Sequence, residues 1–324
     1  MPRIQLHYSV GIITRKLITS RSVSSPKPIG DKLLHHYDSP YFIDNFLAIR
    51  KELINQPNVN VGEWQSQHDQ EKFLMKELLH VTMEYDLPEN ALLLGVATGA
   101  RLPWAEDHFQ ERVSGKPLNP APSEAWWPFR QNKSGNTNEA HKSEGGQAFS
   151  HTYPERMWPK FANPIGDGIM DEHDLNPMMG IRFNYGDLVD VVKQLVHHPM
   201  TRQAYLPIWF PEDTGAVKGQ RVPCTLGYHF IIRDGKLDIS YFMRSTDLLR
   251  HFQDDVYMAG RLAQWMVDEI NFSYETSYYG DVYPTPDEQK LEVGKLIFHT
   301  ANMHIFVGDV PLINYWESQG KVWY

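Results

Sequence analysis

The chain has 324 residues, 41% apolar, 12% aromatic and 22% charged, with 22 Gly and 22 Pro; that composition excludes disorder, collagen and coiled coil and leaves a globular protein with a substantial core. Asp and Glu total 40 against 31 Lys and Arg, a formal charge of −9, so the molecule as a whole repels polyanions and lacks the basic excess of a nucleic-acid binder, with room for a small anion in a local pocket. The single cysteine, Cys224, rules out an internal disulfide and a Cys-rich zinc site and fits a reducing compartment.

Residues 1–30 carry Arg3, Arg15, Lys16, Arg21 and Lys27 with no acid before Asp31. This resembles an organellar transit peptide. The plainer reading is a basic N-terminal extension, with one large catalytic domain over 31–324 and a cytoplasmic location. The longest nearly apolar run, Ala91 to Ala100, is broken by Gly95, Thr98 and Gly99 and falls far short of the roughly 20 residues of a bilayer span. A soluble protein with no membrane or nucleic-acid partner is expected.

After Ser39-Pro40 the stripe Phe42, Phe46, Leu47, Ile49, Leu53 and Ile54 predicts a helix. A second helix is predicted over about 71–85, on Phe73, Leu74, Leu78, Leu79 and Val81. Residues 116–164 are rich in Pro, Gly, Asn and Trp and predict ordered loops of the kind that carry binding groups. A third helix near 187–196 places Leu188, Val191, Val192 and Leu195 together, and an apolar strand follows over 204–210. Two β-rich runs, 224–233 and 236–243, meet at Asp234-Gly235, the strongest short hairpin signal. Ala259, Leu262, Ala263, Met266, Val267 and Ile270 then predict a long helix buried against that sheet. The order predicts an α+β fold, a mainly antiparallel sheet packed with helices.

Without context a lone cysteine is a small buried hydrophobe. Cys224 instead opens a strand, with Arg221 three residues before it, and a nearby cation raises the thiolate fraction of a thiol. Arg244-Ser245 at the next strand end offers a phosphate clamp, unless both side chains are simply solvated.

Pro223-Cys224, the run from Arg233 to Leu237, Arg244-Ser245-x-Asp247 and the helix after Asp255 together resemble the thymidylate synthase family. Thr201-Arg202, His299-Thr300 and His304-Ile305 extend the resemblance. Upstream, Glu124-Ala125-Trp126-Trp127, the segment Ser134 to Asn138, and Tyr153 to Trp158 match it once an insertion is allowed. The resemblance covers 124–306 most clearly and, more loosely, everything from Tyr41.

It implies a thymidylate-synthase-like fold and a homodimer in which 5,10-methylenetetrahydrofolate, as co-substrate, delivers one carbon to C5 of a pyrimidine nucleotide. Because C5 is a weak nucleophile, a thiolate first adds to C6; by resemblance that is Cys224, with Glu124 as acid/base. The resemblance assigns Arg244, Ser245 and, across the dimer interface, Arg202 to the phosphate. His304 is assigned to the sugar hydroxyl, Tyr153 to the nucleotide, Asp247 to the pterin and Trp127 to the folate wall. Gln203 stands where the family has a second arginine, so one phosphate contact is weakened or supplied elsewhere, with Arg101 and Arg221 as candidates.

Three departures bear on the substrate. Asp255 occupies the place of an asparagine that reads uracil; a carboxylate accepts from cytosine N4 and shares a proton with N3, but faces uracil O4 with repulsion. Such a site can reject the wrong base by on the order of 10⁴. Thr225 and Met243 resemble the deoxycytidylate hydroxymethylase branch, in which water captures the transferred carbon. Phe306 replaces a tyrosine that helps grip the sugar 3′-hydroxyl, which leaves CMP beside dCMP, with dCMP ahead. Thymidylate synthesis from dUMP, 5-methylation of cytidylate and a nucleotide-binding homologue without catalysis remain the alternatives. Asp171-Glu172-His173-Asp174 is read as a solvated loop, and no metal is expected.

Overall fold

The computed structural model describes residues 34–60, 71, 74–126, 151–160, 186–215, 222–280 and 290–322. They form an α+β domain built on one seven-stranded sheet, as the sequence predicts. The strands are β1 (His35–Tyr37), β2 (Met75–Asp86), β3 (Tyr205–Pro207), β4 (Thr225–Arg233), β5 (Lys236–Met243), β6 (Thr246–Asp247) and β7 (Glu292–Phe306). Their order is β1-β2-β7-β5-β4-β3, with β6 paired to β7 off that path. Pairs β2–β7, β3–β4 and β4–β5 are antiparallel, whereas β1–β2, β5–β7 and β6–β7 are parallel. The sheet is therefore mixed.

The β4–β5 hairpin forms where Asp-Gly predicts it. Asp234 (φ 49) and Gly235 (φ 71) both take left-handed backbone, the geometry of a two-residue turn whose twist matches its strands. The hairpin sets Thr225 opposite Met243, and β7 sets Thr300 beside Met243. That register brings the head of β4, the tail of β5 and the middle of β7 together.

The helices are α1 (Phe42–Ile54), α2 (Ala91–Thr98), α3 (Trp104–Arg112), α4 (Tyr153–Met157), α5 (Leu188–His197), α6 (Phe252–Thr276) and α7 (Val310–Ser318). Helix α6 buries Val256, Ala259, Leu262, Ala263, Met266 and Ile270, the stripe its spacing predicts. At Gly260 a Cβ would lie 2.8 Å from Leu94, so only glycine lets α2 cross this close. Aromatic rings join these layers: Phe42 to Phe252 at 5.6 Å, Phe252 to Phe298 at 5.0 Å, Phe298 to Tyr241 at 5.5 Å and Tyr241 to Tyr228 at 4.6 Å. Each buried ring contributes about 1.5–3 kcal/mol, and the chain of rings ends in two hydroxyls beneath the site.

One predicted element is overturned. Residues 75–86 form strand β2 rather than the second helix. His80 has φ 56, which reverses the strand's alternation, so the buried positions run Leu78, Val81, Met83, Tyr85. The spacing of three followed by two imitates a helical stripe. Strand β3 is also shorter than predicted, with Pro207 at its end. In 116–164, a short 3₁₀ turn (Pro122–Trp126) and α4 are described. Among the described residues no helix is long and apolar enough to cross a membrane.

Candidate active site

Cys224 stands immediately before β4, half-buried, beside a register shift between Thr225 and Gly227; such irregularities re-aim side chains at strand ends. Arg244, just past β5, pins this turn. Its backbone N–H donates to the Cys224 carbonyl (2.8 Å), Nε to the Pro223 carbonyl (2.9 Å), and Nη2 to the Val222 carbonyl (3.2 Å) and the Cys224 Sγ (3.6 Å). A guanidinium donor on sulfur is the contact a thiolate nucleophile uses. Among the described residues Arg244 supplies it. Arg221 lies outside the described residues.

Ser245, next in the chain, meets His304 of β7: Ser245 Oγ and His304 Nδ1 are 3.3 Å apart. Asn302 Nδ2 donates to Glu77 Oε2 (2.6 Å), which turns its Oδ1 toward His304 Nδ1 at 3.0 Å. The amide oxygen can only accept, so this network places the proton on Nδ1 and leaves Nε2 as the acceptor. Burial holds His304 below the usual histidine range, which keeps that neutral form. Phe306 is buried and carries the Arg250 guanidinium at 4.4 Å.

Asp255 lies in the first turn of α6, only 9% exposed. Burial pushes its carboxyl up to about 7; Arg112, the Thr246 hydroxyl (3.3 Å) and Arg101 pull it down, while Asp254 adds to the rise. Tyr153, which feels the charge of this carboxyl, is bonded to the cysteine strand. Thr225 Oγ1 donates to Tyr153 Oη (3.1 Å) and takes the Tyr241 hydroxyl proton (2.9 Å). Burial holds the Tyr153 phenol well above its ordinary range, and the charges of Cys224 and Asp255 add to that.

Glu124 sits in the 3₁₀ turn, its carboxylate 4.0 Å from His108 Nε2. His108, buried on α3 and stacked on Trp104 (5.1 Å), places its Nδ1 2.7 Å from Ser123 Oγ. Glu111 closes the ring by accepting from Ser123 N (2.7 Å) and Oγ (2.5 Å). Burial lowers the His108 pKa, and Arg112 adds to that.

Asp247 and Arg101 both make contacts within the chain. Asp247 is buried, and its Oδ1 accepts from the Leu249 and Arg250 N–H groups (2.9 and 3.0 Å), leaving Oδ2 3.7 Å from Arg250. Arg101 donates to Asp254 (2.6 Å) and to the Leu249 and Arg250 carbonyls, a brace for α6. Arg202 is exposed beside β3, where Phe230 N donates to the Ala204 carbonyl. Phe230 is six residues beyond Cys224, roughly 20 Å along a strand, so its own chain does not bring Arg202 to the cluster. Trp127, residues 134–138 and Asp171 to Asp174 lie outside the described residues.

Sequence reasoning missed Arg112, His108, Asn302 and Thr246. The first two had a signal: with Trp104 they sit at i, i+4 and i+8 on α3, a polar pair within a buried stripe.

No protein-family model matches the chain. Over 86 residues it is 31% identical to a protein of Methanosarcina barkeri described as "Putative thymidylate synthase". The match spans 26% of this chain and 38% of that relative.

Proposed function

We propose that the protein is a folate-dependent one-carbon transferase that converts a cytidine monophosphate, dCMP ahead of CMP, to its 5-hydroxymethyl derivative. One observation carries this reading: a cysteine with a guanidinium donor and a buried carboxyl titrating about 7 flank one tyrosine at the same end of the sheet. The similarity to the archaeal relative supports the coarser part, one-carbon transfer to a pyrimidine nucleotide. In this reading residues 31–324 act as one catalytic domain behind a basic extension over 1–30.

Cys224 adds to C6, turning C5 into an enamine-like nucleophile. The co-substrate, 5,10-methylenetetrahydrofolate, supplies a carbon at the oxidation level of formaldehyde. C5 bonds to that carbon; the C5 proton then leaves to a base, Glu124 through water, as the bond from the carbon to the folate nitrogen breaks and the amine departs with a proton. Water then adds to the exocyclic carbon, and Cys224 leaves. No net electrons move, and tetrahydrofolate is the second product. Arg244, Ser245 and the partner's copy of Arg202 bind the phosphate, which makes the active unit a homodimer. Asp247, its Oδ2 not held by a backbone donor, and Trp127 take the folate.

Asp255 reads the base. A shared proton suits cytosine N3, which is basic, while uracil O4 can accept a hydrogen bond but not hold the proton. Incubation with dUMP, dCMP or CMP plus the folate, with products resolved by mass, tests the whole proposal. A 5-hydroxymethylcytidylate is expected; turnover of dUMP alone overturns the base assignment, and a 5-methyl product overturns capture by water.

A further inference from the structure

Arg112 ends α3 with its side chain buried, 3% exposed. Its guanidinium lies 4.1 Å from the centre of the Tyr153 ring, and its Nε has no hydrogen-bond partner. No ion pair closes on it among the described residues. A buried cation without a carboxylate partner is costly, so its retention calls for a task. Burial opposes its charge; Tyr228, Tyr153, Tyr241 and Asp255 around it counter that and raise its hold on the proton, the tyrosines only where they ionise, so near pH 7 Asp255 is the one of the four that can carry negative charge. These are the groups that surround Cys224 and the base-reading carboxyl.

We propose that Arg112 is a positioning residue for Asp255: from its seat on Tyr153 it keeps that buried carboxyl able to give its proton to N3 of a bound cytosine and take it back. The inference rests on the cytidylate reading above. When the Cys224 sulfur adds to C6, electron density moves through the ring onto N3. The Asp255 O–H bond breaks as N3–H forms, so the negative charge ends on Asp255, where Arg112 stabilises it. Elimination of Cys224 reverses the transfer.

The groups facing Asp255 leave this task to Arg112. On its own helix Asp254 is bound to Arg101, so that pair is nearly neutral in sum. Thr246 from β6 offers one hydroxyl. Tyr153, Tyr228 and Tyr241, from α4, β4 and β5, are held neutral by burial. A direct ion pair with Arg112 would fix Asp255 as a carboxylate with no proton to share. Set back on Tyr153, the guanidinium offsets burial without fixing the charge, and a donor that titrates near the working pH gives proton transfer in both directions.

The test compares wild type, Arg112→Met and Arg112→Lys. Equilibrium binding of dCMP without folate, followed from pH 5 to 9, weakens as Asp255 loses its proton. In R112M that alkaline limb moves up by about one pH unit, and kcat at pH 7 falls about tenfold because the proton is held too tightly. R112K restores the wild-type limb. A limb unmoved in R112M, with dCMP still bound and the fold intact by circular dichroism, overturns the inference and leaves the cytidylate reading standing. Absence of dCMP binding by the wild type overturns the reading itself. If R112M does not fold, R112K and Arg112→Gln carry the comparison, and an unshifted limb in the Gln variant has the same adverse meaning.

Discussion

The site has two walls of different construction. One runs from Val222 to Phe306, where a hairpin and its neighbouring strands set Cys224, Arg244, Ser245 and His304 side by side through backbone register. The other is made of α3, the 3₁₀ turn and α4, assembled through side-chain packing: Tyr153 bonds Thr225 of the first wall and carries Arg112, and Glu124 stands beside His108, which stacks on Trp104. A register is strict, because a one-residue slip turns every side chain to the opposite face. A packed wall is held by fewer and more separable contacts. The sheet wall should therefore respond to substitution mainly in chemistry, and the helical wall in stability and alignment.

The sharpest difference comes from Cys224. It is half-buried at a strand head, so Cys224→Ala should leave the melting temperature nearly unchanged while product formation falls by at least about 10⁴-fold. A variant that keeps measurable turnover, read by mass spectrometry of the product, would remove the nucleophile from this proposal. The helical wall should behave in the opposite way. Arg156 on α4 makes a buried two-pronged pair with Asp213, both bonds at 3.0 Å, and lies over Phe210 at 4.5 Å. Arg156→Met strands the carboxylate and should cost about 3–5 kcal/mol in denaturant unfolding, with most of that regained in the Arg156→Met/Asp213→Leu double variant. Loss of activity without loss of stability would break the contrast between the walls.

The same contrast explains what was legible beforehand. The sheet wall could be read because its residues are close in sequence: Asp234-Gly235 sets the hairpin, the hairpin sets Thr225 opposite Met243, and Arg244 then has to meet Cys224. Asp255 follows within the next helix turn. The helical wall could not be read in this way. His108 and Arg112 sit within a short helix whose polar residues look like a solvated face, and only packing against the 3₁₀ turn, α4 and α6 turns them inward. Strand β2 misled for a related reason, since the left-handed His80 gave a strand the spacing of a helix. Asn302 was hidden as an ordinary strand polar residue until Glu77, from across the β2–β7 ladder, fixed its amide.

Asp255 couples the two walls, and its cost should be measurable. Its pKa is raised from the ordinary carboxylate value to about 7, so between about pH 4 and 7 the folded state binds more protons than the unfolded one, and this group's contribution lowers stability as pH rises through that window. Asp255→Asn removes the penalty. The variant should match wild type near pH 4 and exceed it at pH 8 by on the order of a few kcal/mol, while preference moves from cytidylate toward uridylate. Equal stability curves at both pH values would mean that Asp255 is not held as a buried acid.

His108 gives the smallest and most discriminating effect. Its two ring nitrogens face Ser123 and Glu124, and burial keeps its pKa below the ordinary histidine value, so it stays neutral at pH 7 and serves as a fixed strut between α3 and the proposed acid/base. Because the unfolded chain takes a proton on this residue below about pH 6.5 and the folded chain resists it, His108 lowers stability as pH falls through that value. His108→Phe keeps the stack on Trp104 but drops the hydrogen bond to Ser123 and the ring nitrogen 4.0 Å from Glu124. Stability should then fall less steeply with acid, and kcat should drop about 10–100-fold, part of what a positioned acid/base supplies, with little change in KM for the nucleotide. An equal rise in KM would place the defect in nucleotide binding, and the helical wall would then be a surface for holding the substrate rather than a frame for aligning Glu124.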